Sequence, residues 1–277
     1  MEKAESNISN QYKSIFSRNE GLFTELEQDR LRQSTIAVAG VGGVGGLLAE
    51  RLIRLGIGKI EITDPGSFEE SNLNRQYGSS MLNVGQNKAE VVFAQLKDIN
   101  PQAQILCSGD GIKTENNANL FVRDCDVVVD EMDFGLFRES ILLQRAARHR
   151  GIHYLSATAV GFGALVVIFD PHGLTLEEYN NFPPDIDLDD ANKIRVPMAK
   201  IAPIIPSYAL TIAPDAIQKM IAGAMPGPTT SIGAGLASIL AANEVVNIIL
   251  KRRDVAKAPQ YTYIDLLDRK FIIGTVT

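Results

Sequence analysis

Thr35-Ile36-Ala37-Val38-Ala39-Gly40-Val41-Gly42-Gly43-Val44-Gly45 is the stretch that decides the fold. A short β-rich run enters a glycine turn. Helical periodicity then takes over from Val44 to Leu55, and Gly56 is placed to cap its end. Strand, glycine turn and helix in that order form the context a nucleotide-binding turn requires. Gly40 and Gly42 let the backbone bend and approach a phosphate, with Gly43 beside them, and Gly45 permits close helix–sheet packing. A second β-rich run, Lys59 to Thr63, ends at Asp64, where a carboxylate can hold both ribose hydroxyls. From these residues alone, an NAD- or FAD-dependent dehydrogenase fits as well as any other nucleotide enzyme.

The alternation continues outward. Lys88 to Ile99 is a helix stopped by Asn100-Pro101. Ala103 to Cys107 and Asp126 to Val129 are strands, the latter apolar on both faces as a central parallel strand should be. Leu136 to His149 is a helix and Ile152 to Ala157 a fifth strand. The pattern predicts an α/β fold with a Rossmann-like, doubly wound, mainly parallel sheet. Ala164 to Phe169 follows after only the short link Val160 to Gly163, which suits an antiparallel addition. Tyr261 to Asp265 and Lys270 to Val276 read as a closing hairpin. Residues 11 to 33 carry helical spacing ahead of the first strand. Residues 170 to 228 hold Pro171, Pro183, Pro184, Pro197, Pro203, Pro206, Pro214, Pro226 and Pro228, which forbid long helices except over about Pro214 to Ala222. No repeat or linker divides the chain. It is expected to be one unit over 1–277: a helical arm (11–33), a nucleotide-binding core (34–169), a proline-rich crossover (170–228), and a C-terminal helix and hairpin (229–277).

Composition narrows the class. The 277 residues are 45% hydrophobic, enough for a buried core. A net charge of −6 gives no basic footprint for nucleic acid. The two cysteines, Cys107 and Cys125, cannot form a disulfide framework, and both read as packing residues. The polar segment Met1 to Asn10 lacks a signal-peptide core. Ile232 to Leu250 is long and apolar but contains Asn243, Glu244 and Asn247, so it reads as a buried helix and no membrane partner is expected. These features predict a cytoplasmic protein. Arg145, Arg148 and Arg150 read as a solvated helix end, and Asp185 to Asp190 as a solvated acidic loop.

The chemistry is narrowed by Asp64-Pro65-Gly66-Ser67-Phe68-Glu69-Glu70-Ser71-Asn72-Leu73-Asn74-Arg75-Gln76, with Lys88 beyond it. A nicotinamide needs a neutral pocket. Asn72, Arg75, Gln76 and Lys88 instead offer two cations and two amides, which suit a triphosphate. Asp130 falls at the C-terminal end of the central strand, where open α/β sheets bind ligands and where a carboxylate can hold Mg²⁺. Asp133 is the second acid of Asp130-Glu131-Met132-Asp133-Phe134. Either it caps the following helix or it acts in the site.

The run from Ser71 to Gln76, Lys88, the paired acids, Ser156 to Gly163, and Gly233 to Ser238 with Glu244 resemble the ThiF/MoeB/HesA superfamily, the adenylating enzymes related to ubiquitin activators. That resemblance implies Mg²⁺–ATP and transfer of AMP to a carboxylate, such as the C-terminus of a small sulfur-carrier or ubiquitin-like protein or of a peptide. It implies that Arg75 and Lys88 are catalytic at the phosphates, with Asn72 and Gln76 beside them, and that Asp130 is the magnesium ligand. It gives Arg18 the role of reaching the phosphates of a partner subunit across a homodimer axis. Phe134 stands where the family has Asn. With no Cys-x-x-Cys pair and no cysteine after position 125, neither structural zinc nor an enzyme-bound thioester is expected. The alternatives are a tRNA-modifying member of the superfamily, an NAD(P)-dependent oxidoreductase, and a non-catalytic partner of an active subunit.

Overall fold

The computed structural model describes residues 9–183, 186–191, 193, 196, 200, 203–221 and 227–276. Most of Met1–Asn10, together with Pro184, Asp185, Pro197, Ile201, Ala202, Ala222 and Pro226, lies outside the described residues.

One eight-stranded sheet organises the molecule, in the order β3-β2-β1-β4-β5-β6-β7-β8. β1 (Thr35–Ala39), β2 (Lys59–Thr63), β3 (Gln104–Ser108), β4 (Val127–Asp130) and β5 (His153–Val160) run parallel. β6 (Gly163–Phe169), β7 (Gln260–Asp265) and β8 (Lys270–Thr275) extend the sheet antiparallel. The expected α/β class and the antiparallel extension are both present. The register places Ala39 beside Asp130 and Asp130 beside Ser156, so Asp130 still belongs to the ladder.

The expected helical arm is two helices, α1 (Asn10–Phe16) and α2 (Glu25–Gln33). Gly21, at φ +87°, turns the chain between them, and a reciprocal Thr24–Glu27 capping box starts α2. α3 (Gly45–Leu55) and α4 (Lys88–Ile99) cover one face of the sheet. α5 (Glu115–Phe121), absent from the sequence expectation, and α6 (Phe137–His149) cover the other. The crossover contains α7 (Leu176–Tyr179), α8 (Leu188–Ala191) and α9 (Pro214–Ile221). α10 (Ser231–Leu250) packs on β5, β6 and α3.

The two faces bury separate cores. Ile36, Val38, Ile60 and Ile62 meet Leu48, Leu52 and Val92 on one side, with Ala237 and Val245 of α10 completing it. Ala37, Ala39 and Val128 meet Phe121, Leu142 and Leu143 on the other. α10 has the length and hydropathy of a membrane span, yet 67% of that window is buried in the protein. Its buried Glu244 accepts a hydrogen bond from Arg253, a charged partner that offsets part of the burial cost. Arg252 hydrogen-bonds Glu27, joining the end of α10 to the N-terminal arm.

Of the cysteines, Cys125 is buried and Cys107 is exposed. The buried reading of Cys107 fails: it shares the α4 face with Ile105, but it stands near the end of the edge strand β3 and is exposed there. Arg145 pairs with Glu177, while Arg148 and Arg150 donate to the carbonyls of Gly173 and Arg123. The helix end is solvent-exposed, as expected, and is also tied to neighbouring loops.

Candidate active site

The strand order reverses between β1 and β4, and the crevice at their C-terminal ends is where this topology binds ligands. The glycine turn is built for that crevice. Gly40 sits at φ +87°, and a Cβ there would lie 2.3 Å from the Glu131 carbonyl oxygen. A Cβ on Gly45 would lie 1.9 Å from the Gly40 carbonyl oxygen. Both positions accept only glycine as the backbone stands. Gly42 and Gly43 differ: a Cβ there would meet the side chains of Gln76 at 3.6 Å and Arg75 at 3.3 Å. These two turn residues face the groups expected to meet a nucleotide.

Two cavities open at this point. The first, about 320 Å³, is lined by Gly42, Asp64, Arg75, Gln76 and Lys88. The second, about 400 Å³, extends between β5, β6 and the crossover and is lined by Asp130, Tyr154, Tyr179 and Lys200. They share a wall formed by Gly43, Arg75, Glu131, Met132, Asp133 and Leu136.

Within the first cavity, Asp64 ends β2 and each of its oxygens accepts one backbone N–H, Oδ2 from Val41 at 2.9 Å and Oδ1 from Gly66 at 2.8 Å. The carboxylate thus pins the glycine turn and keeps lone pairs for ribose hydroxyls. Lys88 opens α4 behind the N-cap Asn87, and its backbone N–H donates to Gly66 O. Arg75 Nη1 donates to the Ser71 carbonyl and to Asn74 Oδ1. Among the described residues neither Arg75 nor Lys88 has a carboxylate partner, so both charges remain for an anion. Gln76 is buried, and its Oε1 has no hydrogen-bond partner among the described residues.

Three expected site residues stand elsewhere. Asn72 lines neither cavity. Its Oδ1 accepts from Glu69 N and its Nδ2 donates to Ser71 Oγ, so it caps the 3₁₀ turn Glu70–Asn72 that presents Arg75 and Gln76. Arg18 is exposed on the 3₁₀ turn Ser17–Asn19 and lines neither cavity of its own chain. Asp130 lines only the second cavity and is 5% exposed. Tyr154 Oη donates to its Oδ2 and Met132 N–H to its Oδ1, and burial raises its pKa above the usual carboxylate value.

Of the two carboxylates on the shared wall, Glu131 and Asp133, the exposed one is Asp133. The helix-cap reading of Asp133 fails, because the following helix α6 has no side-chain cap. Magnesium on a nucleotide asks the protein for only one or two carboxylates, the rest being waters and phosphate oxygens. Asp133 fits that demand. Asp130, the expected ligand, lines only the second cavity and is held by Tyr154 and the Met132 amide.

Sequence reasoning also missed Glu131, Lys113 and the aromatic side of the second cavity. Glu131 accepts from Ala157 N–H, and burial raises its carboxyl well above the usual value. Lys113 lines the first cavity from the loop before α5. Phe134 is exposed and stacks edge-on against Phe137, which stacks on Phe182. For Glu131 the signal was position alone, directly after the C-terminal end of β4.

Comparison with known proteins agrees with this architecture. A stretch of 118 residues is 36% identical to tRNA threonylcarbamoyladenosine dehydratase of Bacillus subtilis, 43% of this chain and 46% of that protein. A stretch of 96 residues is 40% identical to ubiquitin-like modifier-activating enzyme 5 of Caenorhabditis elegans, 35% of this chain and 23% of that one. The matches thus span about half or less of these relatives. Among solved structures, Escherichia coli MccB with ATP superposes at TM-score 0.70 and 21% identity, covering 97% of this chain and 72% of that one. PaaA superposes at 0.71 and 16% identity, covering 100% and 77%. The ThiF family model matches residues 16–275, and the chain belongs to the ThiF family.

Proposed function

We propose that this chain adenylates a carboxylate with Mg²⁺–ATP and releases pyrophosphate. The observation that carries the reading is the shared wall: a cavity holding Arg75 and Lys88, neither with a carboxylate partner among the described residues, meets a second chamber at Arg75 and Asp133. The triphosphate belongs in the first cavity, with Asp64 and the orphaned Gln76 amide at the ribose and Lys88 on the phosphates. The acceptor belongs in the second.

In the reaction an acceptor carboxylate oxygen bonds to the α-phosphorus, and the bond from that phosphorus to the bridging oxygen breaks. The electron pair leaves with pyrophosphate, and the product is an acyl-adenylate. The guanidinium of Arg75, at the junction, balances charge on the transferring phosphorus, and Lys88 balances the leaving group. Asp133 would hold magnesium, which supplies charge neutralisation to the phosphates when bound. Glu131 anchors Ala157 and its carbonyl abuts Gly40, so it fixes the distance between β4, β5 and the turn.

No step uses a cysteine. Burial pushes the Cys125 thiol up to about 12, and partial desolvation with the nearby Glu90 raises that of Cys107, which leaves neither poised as a thiolate. The acceptor in this proposal is the C-terminus of a small carrier protein or peptide. A two-fold partner would deliver Arg18 to the phosphates.

A second reading, activation of a carboxylate on a tRNA base, is favoured by the Bacillus subtilis relative, whereas the net charge of −6 opposes a polyanionic partner. ATP–pyrophosphate exchange with peptides and with bulk tRNA separates the two. Exchange that depends on a peptide supports the first reading. Exchange that depends on tRNA alone overturns it.

A further inference from the structure

The second chamber contains more recognition chemistry than a bare carboxylate needs. Its floor is a chain of edge-on aromatic contacts, Tyr154 to Phe169 and Phe169 to Tyr179. Tyr179 is 6% exposed, and its hydroxyl has no hydrogen-bond partner among the described residues. Thr229 Oγ1, on the same chamber, is likewise buried and unpartnered. Such orphans are costly unless a ligand satisfies them. Lys200 reaches in from the crossover, with Nζ 5.7 Å from the centre of the Tyr179 ring, and forms no ion pair with another described residue. Burial pushes the Tyr179 phenol up to about 12, so it remains a donor at neutral pH.

We infer that this chamber is a side-chain pocket for the terminal residue of the acceptor, with Lys200 and Tyr179 reading an anionic group on that side chain. The acceptor then ends in an acidic residue, not in two glycines. A glycine pair brings nothing to fill about 400 Å³ of aromatic-lined space. It also leaves the cation and the phenol unmatched. The reacting carboxylate turns to Arg75 at the shared wall, and the side-chain carboxylate turns the other way, to Lys200. The inference rests on the adenylation reading, which the following experiment can fail separately.

The experiment is pyrophosphate exchange with equal-length peptides that end in Gly-Gly, Glu, Gln or Lys, together with calorimetry of Mg²⁺–ATP on the same protein. The wild type should prefer the Glu-ended peptide over the Gly-Gly and Gln peptides by about tenfold or more, the scale of a lost charge-assisted hydrogen bond. Lys200→Met and Tyr179→Phe should each erase that preference through KM while ATP binding stays unchanged. Lys200→Glu should transfer the preference to the Lys-ended peptide, which a merely structural lysine would not do. Equal use of all peptides, or a Gly-Gly preference that Lys200→Met leaves intact, overturns the pocket and spares adenylation. ATP binding with no exchange on any peptide overturns the pocket as well. Absence of ATP binding overturns the adenylation reading, and the pocket with it.

Discussion

Alanine at two neighbouring glycines should separate fold from function. At Gly45 the new Cβ would sit 1.9 Å from the Gly40 carbonyl oxygen, against about 3.5 Å for ordinary contact. The obstacle is backbone, so α3 must move away from the turn by roughly 1.5 Å. Alanine gains about 1 kcal/mol of helix propensity over glycine, but overpacking of this kind costs about 1–3 kcal/mol or more. The clash is severe enough to place Gly45→Ala at the upper end, a net loss of about 2 kcal/mol. For a chain of this size that lowers the melting temperature by roughly 4 °C or more. At Gly43 the nearest atom to a new Cβ is Arg75 Nε at 3.3 Å, the flexible part of a side chain, and φ is not in the left-handed region. Gly43→Ala should therefore melt within about 1 °C of wild type, since substitutions free of a named structural cost usually stay within about 0.5 kcal/mol. It should still weaken ATP binding about tenfold, because the methyl displaces the guanidinium at the junction. Thermal melts and ATP titrations on both variants test this. Equal melting losses, or unchanged ATP affinity in Gly43→Ala, would refute the geometry.

Other outcomes follow from the same contacts. Asp133→Asn should lower exchange about a hundredfold with the melting temperature unchanged, the scale of one lost transition-state group; normal exchange in a folded variant would return the metal role to Asp130. Glu131 has a raised folded-state pKa, so its stability cost is absent below the unfolded value near 4.5 and grows as pH rises through the folded value. Glu131→Gln should therefore melt above wild type at pH 8 and match it at pH 4; the reverse order would contradict the burial argument. Tyr208 Oη bonds Asp265 and the Phe162 amide, tying the crossover to β5, β6 and β7, and Tyr208→Phe should cost about 1–3 kcal/mol in denaturant melts. Elemental analysis should find no stoichiometric zinc, since Cys107 and Cys125 are the only cysteines.

The parallel half of the sheet was legible because each strand of that half abuts a glycine, an acid or a proline that stops it. The Gly40–Gly45 turn needs backbone approach, and that need is written in local sequence. α5 was missed because it is only seven residues long and its capping box uses Asn117 in place of an acid. The break between α1 and α2 was legible in Thr24-x-x-Glu27 but was masked by apolar spacing that runs through it. Exposure of Cys107 depends on β3 being the edge, which no local pattern states. The choice between Asp130 and Asp133 turns on where β4 ends. Asp130 pairs with Ala39 and Ser156 inside the ladder, whereas Asp133, three residues later, is exposed on the shared wall. Lys200 and Tyr179 meet Tyr154 and Asp130 only through the return of the crossover, a long-range contact invisible to periodicity.

The central claim is that the first cavity is built for a triphosphate. Calorimetry with Mg²⁺–ATP and NAD side by side, on wild type and on Arg75→Ala and Lys88→Ala, addresses it most directly. The account predicts that ATP binds at least about tenfold more tightly than NAD, and that each substitution weakens ATP by about tenfold or more, as loss of a charge-assisted contact should. NAD binding more tightly than ATP, or ATP binding unaffected by both substitutions, would contradict it.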